Sequence, residues 1–499
     1  MFNRNNIICI LTVGFGSFTS LLSSTTVEIA FPQMMGALAL NLNQAQWTIT
    51  LYMIVMTIAM LLAADIVKRL GVKTTFIISF VIMAFGSLIG GIADNLFTLL
   101  TGRFCQGFAA GLQAPLATIV LGQIFPKNRM GIAMGFFGAI MLLAPALGPV
   151  VGGYIIEITS WREIFYFQIP MAIISIYFAF FYLSNATQTT KDKYDWLGLF
   201  ILSLLLSSFF LALHFIQKFG IYCAEVTIFT ALFCLLAFIF YYCEEYAKQP
   251  LVKFSLFKDI IFTNNVIVIF ALGVCMFSSI LLIPIYLLEV KGYSARQAGE
   301  ALLIPGLIMA VMAPISGWLS DKYPPRELIL AGLIINGLAV YSLIQLETGS
   351  EIAFIVVAAT VSRMGMSVML PALYVSSLKR LDEDTLPYGA SMINFSRQLG
   401  GALGVLLFSA MFERSKHITE QQVWLNLIPK LETQGFATQL ETPELFNNFH
   451  QGVTVLSGHT AFREVFLFNT LMTVGCIILI LLSYFKSPLS SIKYKHSMK

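Results

Sequence analysis

The stretch FTNNVIVIFALGVCMFSSILLIPIYLL, residues 262–288, contains 27 consecutive residues without a single Asp, Glu, Lys or Arg. About twenty apolar residues are enough for an α-helix to cross the roughly 30 Å hydrocarbon core of a bilayer. A backbone in lipid must satisfy its own hydrogen bonds, so a crossing segment of this kind is expected to be helical. The stretch therefore predicts a transmembrane helix.

The whole chain has the composition of a membrane protein. Of its 499 residues, 58% are hydrophobic and 11% are charged, whereas about a quarter of the residues in a soluble domain are charged. Apolar runs recur along the chain and predict fourteen membrane spans. The predicted spans are Ile7–Phe31, Thr48–Ile66, Thr75–Ala93, Phe97–Leu121, Ile132–Ile156, Phe165–Leu183, Leu197–Ile216, Val226–Tyr242, Phe262–Leu288, Ala298–Trp318, Leu328–Ile344, Ala353–Leu378, Tyr388–Phe412 and Val465–Phe485. An even number of spans places both termini on one side.

The distribution of basic residues predicts which side is cytoplasmic, because cytoplasmic loops retain Lys and Arg. Of the 30 basic residues, 19 lie on the side of the termini and 8 on the other side, four of them in one long loop. We therefore expect a multi-pass protein of the cell (inner) membrane with both termini in the cytoplasm. The basic residues are spread over many loops and form no continuous stripe, so no nucleic-acid partner is expected.

Two parts of the sequence resemble each other, as in transporters built from internal repeats. Arg103 begins RFCQGFAAGLQAPLA and Arg363 begins RMGMSVMLPALY, and each segment follows a helix pair with a charged connecting loop. The pattern predicts an all-α membrane protein with two six-helix bundles and two linker helices. The expected bounds are 1–186 for the first bundle, 187–260 for the membrane-embedded linker, 261–499 for the second bundle and 413–464 for a long polar outer loop within it.

Two ionisable residues inside predicted spans are candidates for proton coupling. Glu28 is the only acid well inside the first span, and an intramembrane carboxylate usually faces a cavity or a charged partner. It would be neutral when buried and charged when hydrated; the alternative is that it only reaches the nearby outer surface. Arg103 cannot lose its proton and needs an anion or several carbonyl groups. Its charge would favour ionised Glu28 or couple to substrate, and the alternative is a structural anchor for neighbouring helix ends.

The fifth span contains small residues at a spacing of four with prolines beside them. Small residues on one face let two helix backbones approach closely, and a proline bends a helix. The segment therefore predicts a tightly packed pivot, with packing alone as the alternative. The residues of this pattern are Ala144, Pro145, Gly148, Pro149, Gly152 and Gly153.

Polar residues in apolar surroundings are candidates for a substrate cavity. To this cavity we assign Glu28, Tyr52, Gln106, Gln113 and Asn394. A hydrogen bond between helices is the alternative for Asn394, which shares a helix face with Gln398. Arg363 and Arg397 are interpreted as structural residues.

Charged residues in two short cytoplasmic loops are candidates for a gate. Such charges can bridge two helices in one state and release them when the two halves move. To the gate we assign the charged residues Asp65, Arg69, Asp321, Lys322 and Arg326, together with the glycines Gly71 and Gly317. A solvated loop acid is the alternative for Asp321.

Together these segments resemble the major facilitator superfamily, specifically its fourteen-helix drug:proton antiporter branch of EmrB/QacA type. The most specific pieces are RFCQGFAAG, LGPVVGG, YDWLGLF, PIYLLEVKGYSARQAGEALLIPG, GWLSDKYPPR and NFSRQLGGALG, in this order. The resemblance implies alternating access around a midplane cavity, proton coupling at Arg103 and antiport through the glycine–proline pattern. Two positions depart from the family: Ser23 and Lys68 stand where its members usually have an acid.

We therefore expect a proton-coupled exporter of amphipathic or hydrophobic small molecules, active in multidrug efflux. No metal site, cofactor or enzymatic activity is expected, and the proton gradient is the energy source. One alternative is a dedicated exporter of a single metabolite, such as a siderophore or a fatty acid. Another is a non-transporting membrane sensor or scaffold. The resemblance also allows a periplasmic adaptor protein as a partner if the host has two membranes.

Overall fold

The computed structural model describes residues 4–184, 194–220, 223–247, 249–347, 349, 351–433 and 443–486, and all regular structure in these ranges is helical. A turn of 3-10 helix lies at Phe254–Lys258. The α-helices are α1 Arg4–Ile29, α2 Phe31–Ala37, α3 Leu42–Leu70, α4 Val72–Gly91, α5 Leu96–Ile124, α6 Met130–Ile158, α7 Trp161–Tyr182, α8 Trp196–Phe219, α9 Ala224–Tyr246, α10 Ile260–Glu289, α11 Ala295–Lys322, α12 Pro325–Ile344, α13 Ile352–Leu378, α14 Leu386–Thr433 and α15 Pro443–Lys486.

Within the described ranges, thirteen helices are long and apolar enough to cross a membrane, judged by length and composition. The remaining predicted span corresponds to α6, whose described apolar stretch is Met130–Ala144. Together with α6 these helices match the fourteen predicted spans, and the all-α membrane fold is confirmed. The short α2 is an additional turn at the end of the first span.

Local capping explains where several helices begin. At the start of α3, the Asn41 side chain accepts a hydrogen bond from the backbone N–H of Gln44 at 2.9 Å, and the Gln44 side chain accepts one from the backbone N–H of Asn41 at 3.0 Å. Such a reciprocal box satisfies backbone donors that a helix terminus leaves free. Between α3 and α4 the chain reverses at Gly71, whose φ of 79° suits glycine.

The helices pack as two groups with a helix pair beside them. The first group contains α1 and α3–α7, and the second contains α10–α15. The pair α8 and α9 pack on each other, and α8 also contacts α3 and α14. Contacts between the groups run mainly from α6 to α11 and from α3 to α14. We call the face where α1 begins and α15 ends the terminal face, and the other one the opposite face.

The two groups share a core near the terminal face and separate toward the opposite face. One continuous cluster of buried apolar residues includes members of both groups, such as Met134 and Ile393. Near the opposite face the first group has its own cluster around Trp161, and the second has another around Phe462. The space between the groups therefore widens toward the opposite face.

The segment 413–464, which we predicted to be a long loop, is largely helical and continues two membrane helices. Its first part belongs to α14 and its last part to α15, while 434–442 lie outside the described residues. The two extensions contact each other: the rings of Trp424 and Phe449 lie 5.9 Å apart, and Ser457 donates to Glu420 at 3.2 Å. The extension of α14 therefore packs against the extension of α15. The polarity of the sequence alone does not indicate this packing.

Candidate functional site

A cavity of about 520 Å³ lies between the two groups, within the range typical of small-molecule sites. It extends toward the opposite face, where Phe31 and Gln46 contribute to it. Its lining is mostly apolar, and no Asp or Glu is among the described lining residues. The lining residues are Leu21, Ser24, Thr25, Phe31, Gln46, Ile49, Thr50, Tyr52, Met53, Met56, Met134, Phe137, Gly138, Met141, Leu142, Phe210, His214, Met276, Phe277, Ile280, Leu281, Ala313, Ser367, Leu370, Pro371, Tyr374, Arg397, Gln398, Gly401, Ala402, Val405 and Leu406.

Asp321, at the end of α11, closes the site at the terminal face by bonding the start of α6. Its Oδ1 accepts a hydrogen bond from the backbone N–H of Gly131 at 2.8 Å, and its Oδ2 accepts one from Ile132 at 2.9 Å. The positive end of the helix dipole and the free N–H groups of a helix start both favour an anion there. The Nζ atom of Lys379 lies 4.0 Å from the same carboxylate.

Glycines allow α6 and α11 to come this close. A Cβ atom on Gly131 or Gly135 would collide with backbone atoms of α11, and one on Gly317 would collide with the backbone at Gly131. Side chains at these three positions would push the helices apart. The predicted gate residues Gly317 and Asp321 therefore act at the same crossing.

The other predicted gate residues do not join this crossing. Arg69 Nε lies 2.7 Å from Asp65 Oδ2 one turn away on the same helix, and its guanidinium lies 5.1 Å from the ring of Tyr194, which precedes α8. In the second group, Lys322 lies over Trp318 of its own helix. Arg326 donates to the backbone carbonyl of Ile480 in α15 at 2.7 Å.

Two further contacts connect the groups, and the sequence indicated the partner in neither of them. Lys68 Nζ lies 3.8 Å from Asp384 Oδ1 in the loop before α14, but the Asp384 side chain is 89% exposed, so the pair contributes little. The second contact is buried: Asn394 Nδ2 donates to Thr118 Oγ1 at 3.0 Å. The Tyr374 hydroxyl donates to Asn394 Oδ1, also at 3.0 Å. Asn394 thus joins the groups through a hydrogen bond between helices, which was the alternative given for it, and it is not among the residues that line the cavity.

Arg103 lies behind the cavity wall in a buried polar network. Its Nε donates to the carbonyl of Thr48 at 3.2 Å and its Nη1 to Gln106 Oε1 at 3.0 Å. Gln106 in turn donates to Ser87 and Gln168, both at 2.9 Å. Like Asn394, Gln106 is fully buried and is not part of the cavity lining.

The guanidinium of Arg103 reaches the cavity through one ring. It lies 4.0 Å from the centre of the Tyr52 ring, and Tyr52 lines the cavity. The Tyr52 hydroxyl donates to the carbonyl of Ser20 in α1 at 3.2 Å. Gln113, the last predicted cavity residue, donates to Ser79 and lines a small chamber next to the cavity.

The glycine pattern of α6 packs against α1. A Cβ atom on Gly148 would collide with Thr25, and one on Gly152 would lie 3.2 Å from Thr26, whereas one on Gly153 would meet nothing within 4 Å. Ala144 is buried. The side chains of Pro145 and Pro149 lie outside the described residues.

Glu28 belongs to α1, less than one turn after Thr25 and Thr26. Its side chain lies outside the described residues, so its environment stays a prediction.

Arg363 and Arg397, which we interpreted alike from the sequence, have different surroundings. Arg363 Nη1 lies 3.4 Å from the carbonyl of Met276 and the side chain is buried outside the cavity lining. Arg397 lines the cavity. In the sequence both are single arginines in an apolar span, so no local signal separates them.

Two helical groups around a cavity that is closed at one membrane face are the architecture of a membrane transporter. The family model of the Major Facilitator Superfamily matches residues 13–405, and the chain belongs to this superfamily.

Related proteins agree with this assignment. The chain is 27% identical to the riboflavin transporter RibZ of Clostridioides difficile (strain 630), over 82% of this chain and 88% of that protein. It is 26% identical to the multidrug export protein EmrB of Escherichia coli (strain K12), over 87% of this chain and 86% of that protein. The crystal structure of the human organic anion transporter MFSD10 shares the fold, with a TM-score of 0.61 at 12% identity over 94% of this chain and all of the other. The protein is therefore a transporter and not an enzyme.

Proposed function

We propose that this protein exports amphipathic or hydrophobic small molecules across the cell (inner) membrane by proton-coupled alternating access. The observation that carries the proposal is the mostly apolar cavity between the two groups, closed at the terminal face by Asp321. Such a lining accepts varied apolar molecules, and a few polar side chains orient them. The similarity to a multidrug export protein supports the same function.

The distribution of basic residues supports the proposed orientation of the cavity. Of the 30 basic residues, 19 lie on the side of the termini, which supports a cytoplasmic terminal face. The cavity then opens to the outside while the Asp321 crossing closes the cytoplasmic side. This is the state that follows release of an exported substrate, and opening of the α6–α11 crossing would return the cavity to the cytoplasm.

Proton coupling is proposed at Glu28 and Arg103. Glu28 is in the helix that contributes Ser24 and Thr25 to the cavity lining. Arg103 is one aromatic ring away from the cavity. A carboxyl group that changes hydration as the cavity opens and closes would bind and release a proton in each cycle. The proton gradient would be the energy source, with no other cofactor.

Transport into liposomes tests the proposal. Purified protein is reconstituted, the liposome interior is made more acidic than the medium, and uptake of the fluorescent amphipathic compound 1-naphthylacetate is followed. We expect accumulation driven by the pH difference and its loss when a protonophore dissipates the gradient. Accumulation that is equal with and without the gradient would refute proton coupling.

A dedicated exporter of one metabolite is the second candidate, favoured by the similarity to a riboflavin transporter. A panel of unrelated compounds in the same liposomes separates the two: several transported compounds indicate multidrug export, and a single one indicates a dedicated exporter. No flux for any compound would favour a sensor or scaffold. Pull-down from a host with two membranes would test for a periplasmic adaptor partner.

A further inference from the structure

Arg397 of α14 carries a positive charge into the cavity wall at the level where the groups meet. Its side chain is only 6% exposed, and it lines both the main cavity and the small adjoining chamber. Its Nη2 atom makes no hydrogen bond to any described protein group. A buried guanidinium nitrogen without a partner costs free energy, because it has left water and gained no bond in return.

Its surroundings hold the guanidinium without neutralising it. The Tyr374 hydroxyl, which donates to Asn394, interacts electrostatically with the Arg397 guanidinium. No described lining residue of the cavity or the chamber is an acid. Glu28 stands eight residues beyond the chamber residue Ser20 along α1, which is about 12 Å along a helix. The charge of Arg397 is therefore not compensated by any described carboxylate at its own level.

Further unpaired polar atoms lie at the same place. The hydroxyls of Ser17 and Ser20 are buried without a partner among the described groups, and both line the chamber with Arg397. The Oε1 atom of Gln398, next in sequence, is also buried, unpaired and in a residue that lines the main cavity. The guanidinium and the two hydroxyls offer several donors to one acceptor, whereas the Oε1 atom of Gln398 can only accept a hydrogen bond.

Apolar side chains surround this polar spot. Met56 and Met141 line both the chamber and the main cavity, and Phe277 lines the cavity wall on the side of the second group. A ligand that suits the whole site has a hydrocarbon body for the apolar wall and an anionic head for Arg397. A lipophilic cation would instead bring a like charge next to a desolvated guanidinium, which is unfavourable.

We propose that Arg397 binds the carboxylate of an amphipathic organic anion, so that organic acids are the preferred substrates of this transporter. The guanidinium forms charge-assisted hydrogen bonds to the carboxylate, while the body of the substrate lies on the methionine and phenylalanine side chains. Arg397 is thus a specificity-determining residue, and not only the structural residue that its sequence suggests. This assignment rests on the proposed transport function.

Equilibrium binding to the purified full-length protein, without any gradient, tests the assignment. The probes are three compounds with one aromatic body: 1-naphthylacetate (anion), 1-naphthylacetamide (neutral) and 1-naphthylmethyl-trimethylammonium (cation). In wild type the anion should bind most tightly. Arg397→Gln should weaken anion binding by about tenfold or more, since a bond to a charged group is lost, and leave the affinity for the amide unchanged within twofold. Arg397→Lys should retain part of the anion preference.

Arg363→Gln is the matched control, because Arg363 is also a buried arginine of the second group but does not line the cavity. Its replacement should not change the anion preference. Thermal unfolding in detergent checks that each variant is folded. Equal binding of the three probes, no binding of the anion, or the same anion affinity in wild type and Arg397→Gln would overturn the assignment. Flux driven by a pH difference is measured separately. Anion preference without such flux refutes the proposed coupling alone, and flux without anion preference refutes the role of Arg397 alone.

Discussion

Replacement of Asp321 by Asn should open the terminal face. The carboxylate accepts two backbone hydrogen bonds from α6, at 2.8 and 2.9 Å. Asn keeps one acceptor oxygen, loses the charge and turns an NH2 group toward the second N–H. Hydrogen bonds to charged groups contribute about 1.5–3 kcal/mol each. Because Asp321 is partly exposed, we expect the substitution to destabilise the closed state by about 2 kcal/mol relative to the open state. That loss corresponds to a shift of about thirtyfold in the equilibrium between closed and open.

Distances between spin labels on the two groups measure this shift. The labels are attached to cysteines at Lys127, before α6, and Tyr323, after α11, which are both exposed. The background for labelling has its native cysteines replaced, namely Cys9, Cys105, Cys223, Cys234, Cys243, Cys275 and Cys476. In the Asp321→Asn variant the population with the longer distance should increase strongly over that of the parent protein.

Asp259→Asn is the matched control for this experiment. Asp259 also accepts a backbone hydrogen bond at a helix start, from Ile261 at 2.9 Å, and it pairs with Arg380 at 2.6 Å. All of these partners belong to the second group, so its replacement should leave the distance between the groups unchanged. An identical distance distribution in the Asp321→Asn variant and its parent would show that Asp321 does not hold the terminal face closed.

Two further predictions concern α1 and its contact with α6. Gly148→Ala should lower the thermal unfolding temperature and the transport rate, because the added Cβ collides with Thr25. The control Gly153→Ala should change neither, since nothing lies within 4 Å of its Cβ position. Equal effects of the two changes on unfolding would contradict close packing of α6 on α1 at Gly148. Glu28→Gln should abolish uptake driven by a pH difference, while equilibrium binding of 1-naphthylacetamide persists. Glu225→Gln, at an exposed position, is the control. Undiminished proton-driven uptake in Glu28→Gln would exclude Glu28 as the proton carrier.

The sequence predicts the helices well, because a membrane span is encoded locally by its length and apolarity. The predicted span Leu328–Ile344, for example, corresponds to α12 at Pro325–Ile344. Asp321 could also be identified, since an acid at a helix end near basic residues is a local pattern. The helical extensions at 413–464 were missed because polar segments outside the membrane read as a loop unless their mutual packing is known.

The contacts between the groups could not be derived from the sequence. Asn394 and Thr118 are 276 positions apart, and neither carries a signal that indicates the other. Likewise, Arg363 and Arg397 look equivalent in sequence, and only the packing shows that one lines the cavity. A family pattern predicts on which helix an arginine or a glycine lies. The partner of each polar atom depends instead on how helices that are distant in the chain lie relative to one another.

We expect the cavity between the two groups to be exposed to one side of the membrane at a time. Labelling of a single cysteine at Thr50, which lines the cavity, with a membrane-impermeant maleimide tests it most directly. In oriented vesicles we expect labelling from the outside at rest, and from the cytoplasmic side when the Asp321→Asn change opens the terminal face. A cysteine at Lys127 serves as the cytoplasmic reference. Reaction of the Thr50 cysteine from the same side under both conditions would contradict alternating access of the cavity.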